Sequence, residues 1–483
     1  MVSLNRLFFL PGFCFLMLCV LAPAFGQTVS VIKAPYLLWV TDTEAIIMWE
    51  TNAVRQARVT ISPEGGGTAV VVDVTPATVV AQAVCTGLAP GTRYTFSVST
   101  TGTPSQTLGT GGFLTDSPGP REMTIGVLGD TQELAANFLL NNTRLMKHKP
   151  ELILHVGDLM TNGTDASQWN TQLFTPGKDM LRFAPMYVSF GNHESNSPNI
   201  RKYLPYPETM TGNPVDSRGH WYTASRGNAF FIFLDSQYAF TPGSPQYIWF
   251  NGVLASSAFR NSTWRILCCH YPAYSVGWEG YDGDANMRTY LVPLMEQHGI
   301  DLYMKGHTHS YERGYLNGVT HIINGGGAAG NETWGRNWPF IVRYDLILQY
   351  SVIKINGDKL EFRCYDFGNK LYDKFTLQKG VPFTLPGTPV IVRGPKSGPV
   401  GKQTITLKYP AGEGGRFRYR IGIEERRSED GFWTPTPIMY RAGQEITLPV
   451  DFKSSGTYHV IAQALDAQYR ASDWVRSEAI VIQ

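Results

Sequence analysis

The chain is poor in cysteine, in net charge and in long hydrophobic runs. Of its 483 residues six are cysteine, and two of these, Cys14 and Cys19, fall in the apolar N-terminal segment. The other four, Cys85, Cys268, Cys269 and Cys364, have neither the density of a disulfide framework nor the spacing of a zinc knuckle. They are expected to be buried thiols. Cys268 and Cys269 are adjacent in an apolar run, so as part of a strand they would point to opposite faces. The net charge of +2 leaves no polybasic surface, and with it no electrostatic case for nucleic acid or anionic lipid. No second apolar run of spanning length follows the first, so no membrane span is expected once that segment is removed.

What is present begins with that segment. Arg6 precedes an apolar core from Leu7 to Leu21, and Ala24-Phe25-Gly26 places small residues where a signal peptidase reads, with Gln27 as the expected mature start. This predicts a leader over 1–26 and a secreted, periplasmic or extracellular protein; an uncleaved anchor is the alternative. Leu18 before Cys19 disfavours a lipid-attachment site, which wants a small residue there. Asn-x-Ser/Thr sequons occur at Asn141, Asn162, Asn261 and Asn331. Hydrophobic content of 43% and charged content of 17% fit a globular protein with room for a large core.

Composition and periodicity change along the chain. Ala45 to Trp49, Ala57 to Ile61 and Tyr94 to Val98 are short runs of β-branched and aromatic residues separated by turn clusters such as Pro63-Glu64-Gly65-Gly66-Gly67. Residues 27–116 are therefore expected to form a β-sandwich, with Trp49 in its core. Leu88-Ala89-Pro90-Gly91-Thr92-Arg93-Tyr94 resembles the corner of fibronectin type III sandwiches, in which a tyrosine hydroxyl ties back to upstream backbone. Ser117-Pro118-Gly119-Pro120 reads as a linker. Over 120–376 apolar runs (Met123–Leu128, Leu152–Val156, Met186–Phe190, Phe230–Leu234, Trp264–Cys269, Leu302–Met304) alternate with helical patterns at 133–149 and 290–298. Continuous apolar strands alternating with helices predict a layered α/β domain. Residues 385–483 return to alternating strands and read as a second sandwich with nothing catalytic in it.

The chemistry is concentrated at the ends of those apolar runs. In order come Gly129-Asp130-Thr131-Gln132, Gly157-Asp158-Leu159-Met160, Gly191-Asn192-His193-Glu194, Cys269-His270-Tyr271-Pro272 and Gly306-His307-Thr308-His309-Ser310. In α/β domains functional groups gather at the carboxyl ends of strands. A lone Gly-Asp is a common turn dipeptide, and a lone His pair is often a surface feature. The ordered set supplies carboxylate, amide and imidazole ligands for two metals, and a metal pair suits phosphoester hydrolysis. A glycine before each aspartate is expected to let the backbone turn tightly.

These five motifs resemble the calcineurin-like metallophosphoesterases. Their flanks, Ala229 to Ser236, His270-Tyr271-Pro272-Ala273-Tyr274 and Gly306 to Arg313, are closest to purple acid phosphatases, over about residues 30–375. The resemblance implies a four-layer αββα sandwich flanked by all-β domains. It implies that Asp158 bridges two metal ions (Fe, Zn or Mn), that Asp130 and His309 bind the first, and that Asn192, His270 and His307 bind the second. His193 would contact the phosphoryl oxygen or protonate the leaving group; an orienting role beside Asn192 is the alternative. The chain departs from the pattern at Gln132, where the wider superfamily has histidine, and at Thr161, where purple acid phosphatases have the tyrosinate that colours them. It also lacks their paired histidines after His270 and reads Trp278-Glu279-Gly280-Tyr281-Asp282 there, where Glu279, Tyr281 or Asp282 are candidates to line a pocket. Arg288 and Glu312 are left unassigned. The expected function is hydrolysis of small phosphate esters; phosphodiesterase action on nucleotides or phospholipid headgroups, or a non-catalytic surface protein with a degenerate metal site, are the alternatives.

Overall fold

A computed structural model of the protein describes residues 28–207, 219–330, 338, 340–381, 384–410, 415–426 and 435–483. The N-terminal leader and the sequon at Asn331 lie outside the described residues. Among the described residues no helix is long and apolar enough to cross a membrane.

The first seven strands are β1 (Val31–Val40), β2 (Glu44–Thr51), β3 (Ala57–Pro63), β4 (Val70–Val74), β5 (Val80–Thr86), β6 (Arg93–Thr100) and β7 (Thr107–Leu114). They form two sheets, β1-β2-β5 and β4-β3-β6-β7. Alternation along β3, β5 and β6 puts every second side chain into the space between the sheets, around Trp49, Val59, Phe96 and Phe113. The Ala89 amide donates to the Tyr94 hydroxyl at 2.9 Å, so the tyrosine fixes the corner that precedes its own strand.

The central body has two sheets of its own. The first contains β8 (Glu122–Leu128), β9 (Leu152–His155), β10 (Met186–Val188), β18 (Gln349–Asn356), β19 (Lys359–Asp366) and β20 (Leu371–Gln378) in the order β10-β9-β8-β18-β19-β20. The second contains β11 (Tyr222–Arg226), β12 (Ala229–Leu234), β13 (Trp264–Cys269), β14 (Leu302–Lys305), β15 (Tyr311–Leu316), β16 (Val319–Asn324) and β17 (Ile341–Asp345) in the order β11-β12-β13-β14-β16-β15-β17. β8, β9 and β10 run parallel, as do β12, β13, β14 and β16. The unbroken apolar stretch of β12 follows from burial on both faces. Phe231 and Phe233 enter the core between the two sheets, whereas Phe230, Ile232 and Leu234 pack with Trp249, Phe250 and Met295 of the outer helices. Cys268 and Cys269 divide between the same two cores, and all four described cysteines are buried free thiols. With helices such as Ala135–Met146 covering the first sheet and Pro245–Ala255 the second, the layering is αββα. Each fully buried large side chain contributes about 1.5–3 kcal/mol to holding these layers together. The helix expected at 290–298 opens with a wider turn, Met287–Leu291, before the α-helix Val292–His298. Pro293 has no N–H to continue the regular pattern backwards.

The C-terminal strands build three small sheets around Ile405, Leu407, Tyr419, Phe452 and Val460. Their seam with the central body is polar: buried Arg313 pairs with Asp373 at 2.6 Å and donates to the Gln468 carbonyl at 2.9 Å. At the other end, Arg226 donates to Glu151 at 3.0 Å and to the Leu114 carbonyl at 2.7 Å, tying the N-terminal sandwich to the same body.

Candidate metal centre

The two sheets meet at one end, where their parallel strands finish. The first sheet delivers Asp130 after β8, Asp158 after β9 and Asn192 with His193 after β10. The second delivers His270 after β13 and His307 with His309 after β14. One ligand atom each from Asp158, His270 and His307 lies within 4.8 Å of the others. His270 Nε2 is 3.1 Å from Asp158 Oδ2 and 3.2 Å from Asn192 Oδ1. Asp130 Oδ1 accepts the His307 amide at 2.9 Å and lies 3.8 Å from His309 Nε2. The His193 amide donates to Asp158 Oδ1 at 2.9 Å, and its Nε2 is 4.0 Å from Oδ2. All the residues singled out in the motifs are thus brought to one place.

Three of the imidazoles share one device. Nδ1 of His193 meets the Thr161 carbonyl at 2.7 Å, Nδ1 of His270 the Val156 carbonyl at 2.7 Å, and Nδ1 of His309 the Gly330 carbonyl at 2.5 Å. A carbonyl only accepts, so each Nδ1 carries a proton and each Nε2 faces the cluster. His307 is pushed down to about 3 by burial and by the charge of His270, and so keeps a free lone pair.

The three carboxyls of the cluster, Asp130, Asp158 and Glu194, crowd one another. Burial pushes Asp130 well above the usual carboxylate range, against the opposing pull of His270. Burial and then the Asp158 charge push Glu194 up to about 7. Burial would also raise Asp158, but the charge and hydrogen bond of His270 outweigh it and hold the carboxyl at about 2. Burial pulls the other way on His270, and the Asp158 carboxylate wins, raising it to about 10. Asp130 Oδ2 and Gln132 Oε1 are buried with no hydrogen-bond partner. Orphaned oxygens beside crowded carboxylates are what a cation would satisfy, so the donors fit metal ions.

The tight turn expected before Asp158 is present, with Gly157 at φ 100°, and Asp130 and Asp158 themselves also occupy the left-handed region, at φ 54° and 57°. Two further glycines of the motifs serve close approach. A Cβ on Gly191 would stand 2.2 Å from Asp158 Oδ1, and one on Gly306 would stand 2.4 Å from Asp130 Oδ2.

The motifs did not disclose the part played by Glu194. Its carboxylate, 0% exposed, accepts the amides of Leu159 and Gly191 at 2.6 Å each and of Asp158 at 3.1 Å. It holds the Asp158 and Asn192 loops together. Its place beside Asn192 and His193 in one motif was the signal. Of the two departures, Gln132 is inside the cluster, its Nε2 3.2 Å from His309 Nε2, whereas the Thr161 hydroxyl turns away to Gln172 at 3.1 Å. Among the pocket candidates, Glu279 is exposed and Asp282 pairs with Arg288 at 3.3 Å; Tyr281 alone of the three reaches the cluster, its ring 5.1 Å from that of His307.

The fold is that of a metallophosphoesterase domain. Residues 123–311 match the family model for calcineurin-like phosphoesterases. It is 29% identical over 208 residues to purple acid phosphatase 1 of Ipomoea batatas, a match covering 41% of this chain and 44% of that protein. It is 27% identical over 282 residues to "Probable inactive purple acid phosphatase 1" of Arabidopsis thaliana, covering 50% of this chain and 46% of the relative. The chain thus spans a little under half the length of both. The solved structure of purple acid phosphatase PPD1 from yellow lupin seeds shares the fold with a TM-score of 0.59 at 19% identity, over 72% of this chain and 74% of the lupin chain.

Proposed function

We propose that the central domain hydrolyses phosphate esters with the help of two metal ions, iron, zinc or manganese. Asp158 would be shared, Asp130 and His309 would hold one ion, and Asn192, His270 and His307 the other. Bound ions of this kind acidify water into a nucleophile and neutralise phosphate oxygens. The chain's own residues do the rest. Glu194 fixes the two loops that carry Asp158 and Asn192. The carbonyls of Val156 and Gly330 aim His270 and His309 inward. His193, its side chain 31% exposed, presents Nε2 at the open side, where its imidazolium form would donate to a phosphoryl oxygen or a leaving alkoxide. A half-turn of the Gln132 amide would bring its orphaned oxygen to the His309 side, so that Gln132 becomes a neutral oxygen donor where the superfamily uses imidazole. We further propose export through the leader, and the division of the mature chain at 27–116, 120–376 and 385–483.

The observation that carries this reading is the orphaned Asp130 Oδ2 at the edge of a cluster of Asp158, His270 and His307. Elemental analysis of natively purified protein, with turnover of p-nitrophenyl phosphate and bis-p-nitrophenyl phosphate, tests it. Two transition-metal ions and hydrolysis of one of the esters are expected, both lost in Asp158→Ala. Two metals and full activity in Asp158→Ala would end the dinuclear reading. A second reading, metal binding without turnover, is favoured by the averted Thr161 hydroxyl and the amide at Gln132. Full metal loading with neither ester hydrolysed would select it.

A further inference from the structure

The segment after His270 replaces polar groups with rings. Trp278 and Tyr281 pair across a tight turn, with Gly280 at φ 80°, and their rings lie 5.4 Å apart. With Tyr271 they converge on His307, at centroid distances of 4.5 Å for Tyr271, 5.1 Å for Tyr281 and 5.3 Å for Trp278. Trp278 and Tyr271 are half-buried, and the Tyr281 hydroxyl is buried without a partner. The charged side chains of the segment stand elsewhere, Glu279 in solvent and Asp282 against Arg288.

This wall is held still from behind. Glu312 accepts from the Ser275 hydroxyl and the Val276 amide at 2.9 Å each. Arg288 donates to the carbonyls of Ala273 and Asp282 at 2.8 and 3.1 Å, and the Trp338 indole donates to the Asp282 carbonyl at 2.9 Å. The two residues left unassigned in the sequence thus serve as clamps on this loop. A pre-positioned aromatic surface costs a ligand little ordering.

From this geometry we infer that Tyr271, Trp278 and Tyr281 form a subsite for a flat aromatic ring on the alcohol side of the phosphoester, as in a nucleotide, with Trp278 as its principal stacking surface. The inference rests on the phosphoester reading above. His307 belongs to the cluster that would hold the phosphate, so the esterified alcohol falls beside the rings packed on His307. An uncharged wall of rings offers a sugar or a second anion few partners. It offers a base a face to stack on, in the offset or tilted arrangements aromatic pairs prefer.

The test compares adenosine 5′-monophosphate with 1-O-methylribofuranose 5-phosphate, which carry the same phosphate on the same primary alcohol and differ in the base. Both are measured with the metal-loaded full chain as substrates, as competitors of p-nitrophenyl phosphate, and by isothermal titration. The nucleotide is expected to win in kcat/KM or affinity by a factor of about 5 to 150, the worth of one base–aromatic stack. Trp278→Ala should shrink that advantage to within about twofold, the nucleotide losing more than the sugar phosphate, and Trp278→Phe, which keeps a ring, should retain most of it. Equal behaviour of the two phosphates in the wild type overturns the subsite. So does a Trp278→Ala protein that loses both equally, because the rings would then only shield His307. Hydrolysis of p-nitrophenyl phosphate with no competition by either sugar compound overturns it as well. A protein that hydrolyses no ester overturns the earlier reading instead, and the titration still decides this one.

Discussion

Glu194→Ala is the sharpest structural test of how the centre is held. The carboxylate satisfies three buried amides, those of Asp158, Leu159 and Gly191, and has no access to solvent. Truncation leaves all three donors without their partner. At roughly 1–3 kcal/mol for each buried donor so stranded, the loss is about 3–9 kcal/mol, with the lower end applying if water enters the space left behind. For a domain of this size each 1 kcal/mol moves the unfolding midpoint by about 2–4 °C, so even the lower end predicts a fall of about 6–12 °C. The measurement is thermal unfolding of the metal-free protein, followed in the same variant by metal stoichiometry after reconstitution. Metal-free material isolates the packing effect, since bound ions would add their own stabilisation. The Asp158 and Asn192 loops should also lose their relative placement, so the variant should reconstitute with less than its full metal complement. A midpoint within 2 °C of wild type, together with full metal loading, would refute the idea that Glu194 ties the two loops together.

Other predictions concern chemistry and the domain seam. His193→Ala should keep its metals and lose kcat by about 10²–10⁴-fold on alkyl phosphates, with a smaller loss on p-nitrophenyl phosphate, whose leaving group needs no proton; equal losses on both would assign His193 an orienting role. Iron-loaded protein should show no visible tyrosinate absorption, because Thr161 has no phenol and its hydroxyl is engaged by Gln172. Graded chelation should remove one ion before the other, and Gln132→His should tighten the looser one; simultaneous loss in both proteins would show that Gln132 is irrelevant to the first ion. At the C-terminal seam, burial would raise Asp373, but Arg313 outweighs it and holds the carboxyl below its usual value. That stability is present above the unfolded carboxyl value of about 3.9 and is lost as pH falls through the folded one. Asp373→Asn should therefore cost about 3–5 kcal/mol at pH 7 by stranding buried Arg313, with the gap to wild type closing in acid; a gap that stays constant from pH 7 to pH 3 in thermal melts would show that the pair is not its source.

The linear order of residues determined a great deal by itself. Apolar runs of strand length ending in Gly-Asp, Gly-Asn-His and Gly-His-x-His were enough to mark a layered α/β body and the residues that would meet at its strand ends. Such information is local: a run buried on both faces is apolar throughout, and ligands sit where the chain turns. Adjacent Cys268 and Cys269 could be assigned to opposite faces for the same reason, the two-residue repeat of a strand. Tertiary structure decided what depends on distance across the chain. Nothing in the order of residues says that the carboxylates come from one sheet and three of the imidazoles from the other, so that the centre straddles their seam. Glu194 reads as the tail of a motif until its carboxylate is seen to bind amides 35 and 36 positions upstream. Arg288 and Glu312 acquire a role only when the loop they clamp is folded back on them. The polar candidates near Trp278 gave way to the rings because a charged side chain at a loop tip finds solvent or an arginine more favourable than a dry wall beside His307. Burial and hydrogen-bond partners are set by the packing of segments far apart in sequence, and no local pattern records them.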